Sequence, residues 1–469
     1  MRSSAAGGHS SALEKGTLPS HTRQACVAER RRSRVPASRV ERLARIGLMA
    51  GEFAASGLIE GTRRLLGLGK LGASASNPLL SLATAQRLAR RLANLRGAAM
   101  KLGQLLSLES ADILPPEFAE ALAVLRASAD TMPPAQVRRM LGREYGKGWE
   151  GRFREFDFEP VASASIGQVH AAVARDGRRL ALKIQYPGVA RSIESDVDNV
   201  ASLLRLAKLL PVDLDVGGII AEAKRQLRQE AEYLLEAQSL RRYQALVADD
   251  PALLVPGVHD DFTTRRILAM DFVDGEPIES LASPRTPQLS RDEVGFVLER
   301  LVFRELFEFR FMQTDPNFAN YRILPDGERV ALLDFGSTRD LPEVLVEHYA
   351  RIVRAVLAGD RAGVRGSAIE IGYLPKDESE ERARGVEELI LAVCEPLRHR
   401  GPYDFGRSTL PSRVRDLGLD LALRRGFLHA PPPETVFLHR KLVGSFLLCA
   451  HLRARVDVNA LIRPLVGLG

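Results

Sequence analysis

FMQTDPNFANYRILPDGERVALLDFGSTRD, residues Phe311 to Asp340, is the stretch on which the reading of this chain turns. It sets Asp315-x-x-x-x-Asn320 ahead of Asp334-Phe335-Gly336. Pro325-Asp326-Gly327 is a turn signal, and the apolar runs on either side, Tyr321–Leu324 and Val330–Leu333, read as the two strands of a hairpin. A hairpin there returns the chain to its starting point, so Asn320 and Asp334 meet at the same end. Asn and Asp offer hard oxygen atoms, which Mg²⁺ takes in octahedral coordination while keeping some of its waters. Asn320 and Asp334 are therefore the candidate metal ligands, and Asp315 is the candidate catalytic carboxylate.

The order of these motifs resembles that of protein kinases, in which such a loop supplies a catalytic Asp and a metal-binding Asn before the Asp of DFG. Upstream, the pattern changes to strand from about Trp149. Phe156–Val161 leads into a loop, Ala162-Ser163-Ala164-Ser165-Ile166-Gly167-Gln168. Val169–Ala174 and Arg179–Gln185 then follow as strands around the Asp176-Gly177 turn. Lys183 is the sole charge in the alternating run Leu180–Ile184. A lysine on a buried strand is costly unless it is paired, and its place matches the strand lysine that touches nucleotide phosphates in kinases. The preceding loop would cover those phosphates. Kinases use Gly there for close backbone approach; here Ala and Ser replace most of the glycines, which stiffens the loop. A helix over Val216–Leu246 carries Glu230, Glu232 and Glu236, and spacing does not decide which of them pairs with Lys183. Arg266–Val273 reads as a strand ending at a hinge, where the backbone near Asp271 and Val273 would meet the adenine.

Between DFG and Leu341-Pro342-Glu343 there is no room for the long activation segment on which a kinase docks a peptide. Helices follow over Glu343–Leu357, Arg361–Ile371, Glu378–Leu397 and Glu434–Ala454, with Pro431-Pro432-Pro433 as a stiff joint before the last.

The N-terminal third reads as helical from Val35. Gly97–Ser110 carries Lys101-x-Gly103-Gln104, where Lys101 and Gln104 share a face at i, i+3 while Met100, Leu105, Leu106 and Leu108 can face a core. On periodicity alone they are a surface pair.

The chain has 469 residues, enough for two or three domains or lobes, and is 45% hydrophobic, enough for a sizeable core. Cys26, Cys394 and Cys449 are far apart and no CxxC is present, so neither a disulfide frame nor a zinc site is indicated, and a reducing compartment fits. Of the net charge of +7, residues 1–40 account for +6, with eight Lys/Arg against two acids. The folded body is nearly neutral, which argues against a nucleic-acid partner. The Ser-, Ala-, Gly- and Arg-rich tail reads as disordered. Its composition also resembles an organelle transit peptide; a bacterial basic tail near anionic lipid is the preferred reading. No uncharged apolar run reaches the ~20 residues that span a bilayer, and Ile46–Ile59 and Leu442–Ala450 read as buried helix segments.

Taken together, KLGQ at 101–104, ASASIGQVH at 162–170, Lys183, the acidic helix, QTDPNFAN, LLDFGSTRD and the C-terminal LHRKLVGSFLLCAHLRAR resemble the UbiB family of atypical protein-kinase-like proteins, its mitochondrial and proteobacterial branch in particular. The resemblance covers the chain from about Val35 to its C-terminus. It implies an α+β, two-lobed protein-kinase-like fold divided into a disordered tail (1–34), a helical extension with the KxGQ motif (35–148), an N-lobe (149–273) and a mainly helical C-lobe (274–469). It implies ATP and Mg²⁺ as cofactors, Lys101 and Gln104 in the signature of an extension covering the pocket, and Glu236 as the partner of Lys183. The family's Glu-x-Asp signature departs here to Glu230-Ala231-Glu232, with a longer side chain toward Lys101.

The function expected is a Mg-dependent ATPase supporting ubiquinone biosynthesis at a membrane surface, with little or no protein phosphorylation in trans. The alternative is a nucleotide-gated binding module or lipid chaperone of a quinone-biosynthesis complex. The expected partners are ATP and ADP, membrane lipid or quinone precursors, quinone-biosynthesis enzymes and a second copy of the chain. The expected place is the cytoplasmic side of a bacterial inner membrane, with the matrix face of the mitochondrial inner membrane as the alternative.

Overall fold

A computed structural model describes residues 131–206, 216–427, 429 and 431–468. The tail, Lys101, Gln104 and most of the expected helical extension lie outside the described residues. Two compact units result, one running through Leu234 with Val258–Phe272 added, the other made of Leu235–Gly257 and the chain from Val273 onward.

In the first unit, helix α1 (Pro134–Tyr145) opens on Pro134, whose missing N–H is no loss at a helix start. Four strands follow, β1 (Phe153–Phe156), β2 (Ala162–Ala164), β3 (Gly167–Ala174) and β4 (Arg179–Gln185), and β5 (Ile267–Asp271) completes the sheet. All pairings are antiparallel, in the order β1-β3-β4-β5, with β2 also on β3. The first strand lies earlier than the expected 156–161. Trp149, Phe153 and Phe156 stack edge to face at 5.7–6.1 Å between ring centroids, which anchors Phe153–Phe156. An Asx turn, with Glu159 N donating to Asp157 Oδ1 at 2.9 Å, and the donor-less Pro160 then end the ladder. The β3–β4 turn is as expected: Gly177 takes a φ of 92°, open to glycine at no steric cost. Strand β4 sends Leu180, Leu182 and Ile184 into the core, all fully buried.

Helices α2 (Val189–Leu206) and α3 (Val216–Glu230) complete this unit. The single helix expected over Val216–Leu246 is broken after Glu230 and resumes as α4 (Tyr233–Leu246). No Pro or Gly marks the break. Its cause is tertiary: the Ala231 carbonyl, which a continuous helix would spend on the fourth residue ahead, accepts instead from the buried Gln185 Nε2 at 3.0 Å.

The second unit contains α4 from Leu235 on, β6 (Glu276–Pro277), and α5 (Gln288–Arg304), which ends in a π-helical turn at Glu305–Phe309. Strands β7 (Phe311–Gln313), β8 (Tyr321–Ile323), β9 (Val330–Leu332) and β10 (Thr338–Asp340) follow. β8 and β9 form the expected hairpin, with Val330 opposite Ile323 and Leu332 opposite Tyr321. Leu253–Leu254 pairs parallel to β9, and β6 flanks β8. β7 pairs with β10.

Helices α6 (Glu343–Ala358), α7 (Arg361–Ile371), α8 (Glu380–Val393), α9 (Glu395–Arg398), α10 (Leu410–Leu419), α11 (Pro433–Leu452) and α12 (Val458–Leu465) make up the remainder, with a two-residue strand pair, Tyr403–Asp404 on Arg455–Val456. The helix expected over 378–397 divides at Cys394, just before Pro396, which cannot donate to the preceding turn.

Two buried histidines tie this fold to pH. His170 Nδ1 donates to the Asp157 carbonyl at 2.8 Å while its Nε2 accepts from Gln168 at 2.7 Å. Burial lowers its pKa from the ordinary 6.5 to about 4, against the smaller opposing pull of Asp157. Burial likewise lowers His439, beside Tyr373 OH at 2.6 Å, to about 4. Below pH 6.5 the unfolded chain binds protons that the folded chain refuses down to about pH 4, so stability present at neutral pH is lost on acidification. Urea unfolding at pH 7 and pH 5 should show a loss of about 2 kcal/mol per histidine, removed by His170→Gln or His439→Gln for its own share. A pH dependence unchanged in both variants would refute the assignment.

Candidate functional site

Candidate residues occur in both units. In the second, the β8–β9 hairpin does what its sequence promises. Leu333 N donates to the Asn320 carbonyl at 3.0 Å, which sets Asn320 beside the residue preceding Asp334. Asn317 caps the short turn Phe318–Asn320 by accepting from Ala319 N at 3.2 Å. That turn directs the largely buried Asn320 back toward Asp315, whose carbonyl accepts from Asn320 Nδ2 at 3.3 Å. The amide nitrogen is thus engaged within the loop, and Oδ1 is the atom of Asn320 suited to a cation. Asp334 is half-buried, and its Oδ1 accepts from Gly336 N at 2.9 Å. Phe335 is buried against the Tyr243 ring, 4.7 Å between centroids, which anchors the DFG turn.

Asp315, Asn320 and Asp334 therefore gather at one end of a single hairpin. The set fits Mg²⁺: the donors are one carboxylate and one amide oxygen beside a further carboxylate, hard and few enough to leave positions for water and phosphate. Among the described residues no group of three or more His, Cys, Asp and Glu is placed to hold a metal ion, so a cation here would depend on the amide oxygen of Asn320 and on water or phosphate as well.

The link between the Asp315–Asn320 loop and DFG was not legible in the motifs. Thr314 N and Oγ1 both donate to the Ser337 carbonyl, at 2.8 and 2.9 Å, as part of the β7–β10 pair. Gln313 Nε2 donates to the Asp315 carbonyl at 2.9 Å. Both residues stand immediately before Asp315 in sequence and are buried in the structure, and nothing in the local pattern marks them.

In the first unit the expected loop over 162–168 is instead a tight hairpin. Ala162, Ser163 and Ala164 form β2 opposite Val169, Gln168 and Gly167, and Ser165-Ile166 make the turn. Small side chains let this edge strand fold onto β3. Gly167 is required there, since a Cβ would overlap the Ile184 carbonyl and the Tyr233 hydroxyl. Ile166 is buried, and the fully buried Gln168 spends its amide on Met132 N, at 2.9 Å, and on His170. Any contact of these two with a ligand falls to their backbone, while Ala162, Ser163, Ala164 and Ser165 are half-buried.

Lys183 lies on β4, 5% exposed, on the face opposite the Leu180–Ile184 core side and alongside Gln185. Its Nζ stands 5.5 Å from the Tyr233 ring centroid. Of the three helix acids, Glu230 is buried, Glu232 faces Arg265 at 3.6 Å on the surface, and Glu236 is buried near the start of α4 in the second unit. Asp271 ends β5, its carboxylate 2.8 Å from His259 Nε2, and Val273 follows it half-buried.

After DFG the chain enters β10 and then α6 at Glu343, so among the described residues a peptide-docking segment is missing. The strand at Thr338–Asp340 is an addition to the expected turn directly into a helix.

Comparison with known proteins places this geometry. Residues 124–368 match the family model described as the ABC1 atypical kinase-like domain. The chain is 39% identical to the protein named atypical kinase COQ8B, mitochondrial, of Rattus norvegicus, covering 92% of this chain and 81% of that protein. It is 35% identical to atypical kinase COQ8, mitochondrial, of Saccharomyces cerevisiae, covering 92% and 86%. Among solved structures, Mycobacterium tuberculosis Rv3197 in its erythromycin complex aligns with a TM-score of 0.58 at 27% identity, over 82% of this chain and 95% of that one.

Proposed function

The chain belongs to the ABC1 (UbiB) family of atypical kinase-like domains and is an ATP-dependent enzyme of the kinase type; from that premise we propose that it is a Mg²⁺-dependent ATPase supporting ubiquinone biosynthesis at a membrane surface, with little phosphorylation of proteins in trans. The observation that carries the last clause is the direct passage from Asp334-Phe335-Gly336 through β10 into α6, which supplies no platform for a peptide.

In this reading Asn320 and Asp334 would hold Mg²⁺, which when bound neutralises charge on the nucleotide phosphates. Asp315 orients the attacking hydroxyl or water and takes its proton. Lys183, with Glu236 as its proposed partner, positions the phosphates, and the Ala162–Gln168 hairpin covers them. The backbone at Asp271 and Val273 takes the adenine. Lys101 and Gln104 are proposed to close the pocket from the extension.

No described helix is long and apolar enough to cross a membrane. The setting proposed is the surface of an inner membrane, bacterial or, as the relatives' names have it, mitochondrial. The test is turnover of Mg·ATP by the full chain with and without anionic vesicles and quinone-precursor analogues. Stimulation by vesicles and no labelling of unrelated proteins are expected. Robust phosphorylation of an unrelated protein would overturn this reading.

A further inference from the structure

Helix α11 supports the segment that carries Asp315 at three places. A Cβ on Gly444 would overlap Pro316, so the helix backbone lies directly against the residue after Asp315. One turn beyond Leu448, the His451 ring packs 5.8 Å from that of Phe318. Between them in importance is Lys441, only 2% exposed, whose ammonium sits 3.0 Å from Glu305 Oε2, 3.2 Å from Gln313 Oε1 and 3.3 Å from Tyr321 OH. Two of these contacts are hydrogen bonds, to Gln313 and Tyr321, and the third, to Glu305, is a buried ion pair. Glu305 is fully buried at the π-helical turn, and its Oε1 accepts from Tyr243 OH at 2.7 Å and Gln313 N at 2.9 Å. Burial alone would lower the Lys441 pKa, but Glu305 and Tyr321 outweigh it and hold the group charged.

Gln313 is the joint of this network. An ammonium has no acceptor, so it dictates which way the Gln313 amide points: Oε1 toward Lys441, and therefore Nε2 toward the Asp315 carbonyl, 2.9 Å away. Without the cation the amide can rotate, and the Asp315 carbonyl loses the donor that stands beside Asn320 Nδ2.

We propose that Lys441 is a positioning residue for the catalytic loop, acting through the Gln313 amide on Asp315, with Glu305 as its buried counter-ion. This rests on the kinase-type reading of Asp315, and the experiment separates the two.

Lys441→Met alone would leave the Glu305 carboxylate buried without its cation and could unfold the protein, so Lys441→Met is combined with Glu305→Gln. This double variant is compared with Gln313→Leu, with the triple variant, and with Val443→Ala, an outward-facing residue of the same helix. The Mg·ATP kcat should fall about tenfold in the double variant and in Gln313→Leu, with KM within about twofold, and no further in the triple variant. Amide hydrogen exchange over 313–320 should rise about tenfold in the double variant while the other helices of the unit keep their protection. Val443→Ala should match wild type in both. Wild-type exchange over 313–320 in the double variant overturns the proposal, as does additive loss in the triple variant. The exchange result stands without turnover, so a wild type that fails to turn over ATP would sink the ATPase reading and leave the proposal to be decided by exchange.

Discussion

Asp334→Asn should lower Mg²⁺-dependent turnover by about a hundredfold or more, because it removes a charged oxygen from the proposed metal set where phosphate charge must be neutralised. The substitution is close to isosteric. An asparagine Oδ1 can still accept from Gly336 N, the bond that shapes the DFG turn. Phe335 remains in its place against Tyr243, and the β7–β10 pair that follows involves neither oxygen. The fold should therefore survive, with a Tm close to wild type. The loss should appear as a higher Mg²⁺ requirement in nucleotide thermal-shift titrations and as lost turnover at saturating ATP. Wild-type Mg²⁺ dependence in a folded variant would remove Asp334 from the set.

What could be read from residues alone follows from where the causes lie. The β8–β9 hairpin was legible because its cause is local: Pro325-Asp326-Gly327 turns the chain and the flanking apolar runs have strand character. Strand β4 was legible to the residue for the same reason, a run of alternating side chains closed by a Gly turn. Asn320 and Asp334 came together because two local rules, hairpin and spacing, agree.

The misreadings have non-local causes. The break at Ala231 is made by Gln185, forty-six positions away, and no pattern within the helix reports it. The Ala162–Gln168 segment looked like a loop because Ala and Ser carry little strand preference; it pairs because Gly167 lets β3 close on Ile184. The roles of Gln313, Glu305 and Lys441 depend on residues more than a hundred positions apart. Gln313 is uncharged, Glu305 follows Arg304 and Lys441 follows His439 and Arg440, so none of them stands out as an isolated charge in the way Lys183 does.

Lys183→Met should also reduce turnover by about a hundredfold or more, if the lysine holds the phosphates in the transition state. Strand β4 is central, paired with Val169 on one side and Leu268 on the other, and Leu180, Leu182 and Ile184 carry its contribution to the core on the opposite face. Methionine keeps the length and the apolar stem of the lysine. What it gives up is the buried charge, with its contact to the Tyr233 ring 5.5 Å away and its proposed pairing with the buried Glu236, so some stability is lost along with turnover. Lys183→Arg should not rescue turnover, because a planar guanidinium is a poor substitute for a compact ammonium in a site 5% exposed. Gln185, two residues on along the same face, is the opposite case. Gln185→Ala strips the donor from the buried Ala231 carbonyl, at about 1–3 kcal/mol, with little direct effect on chemistry. Kinetics on the folded proteins should therefore separate the two positions, with turnover lost in Lys183→Met and kept in Gln185→Ala, whose loss is of stability alone. Near-wild-type turnover in Lys183→Met would show that the buried charge serves packing and not phosphate.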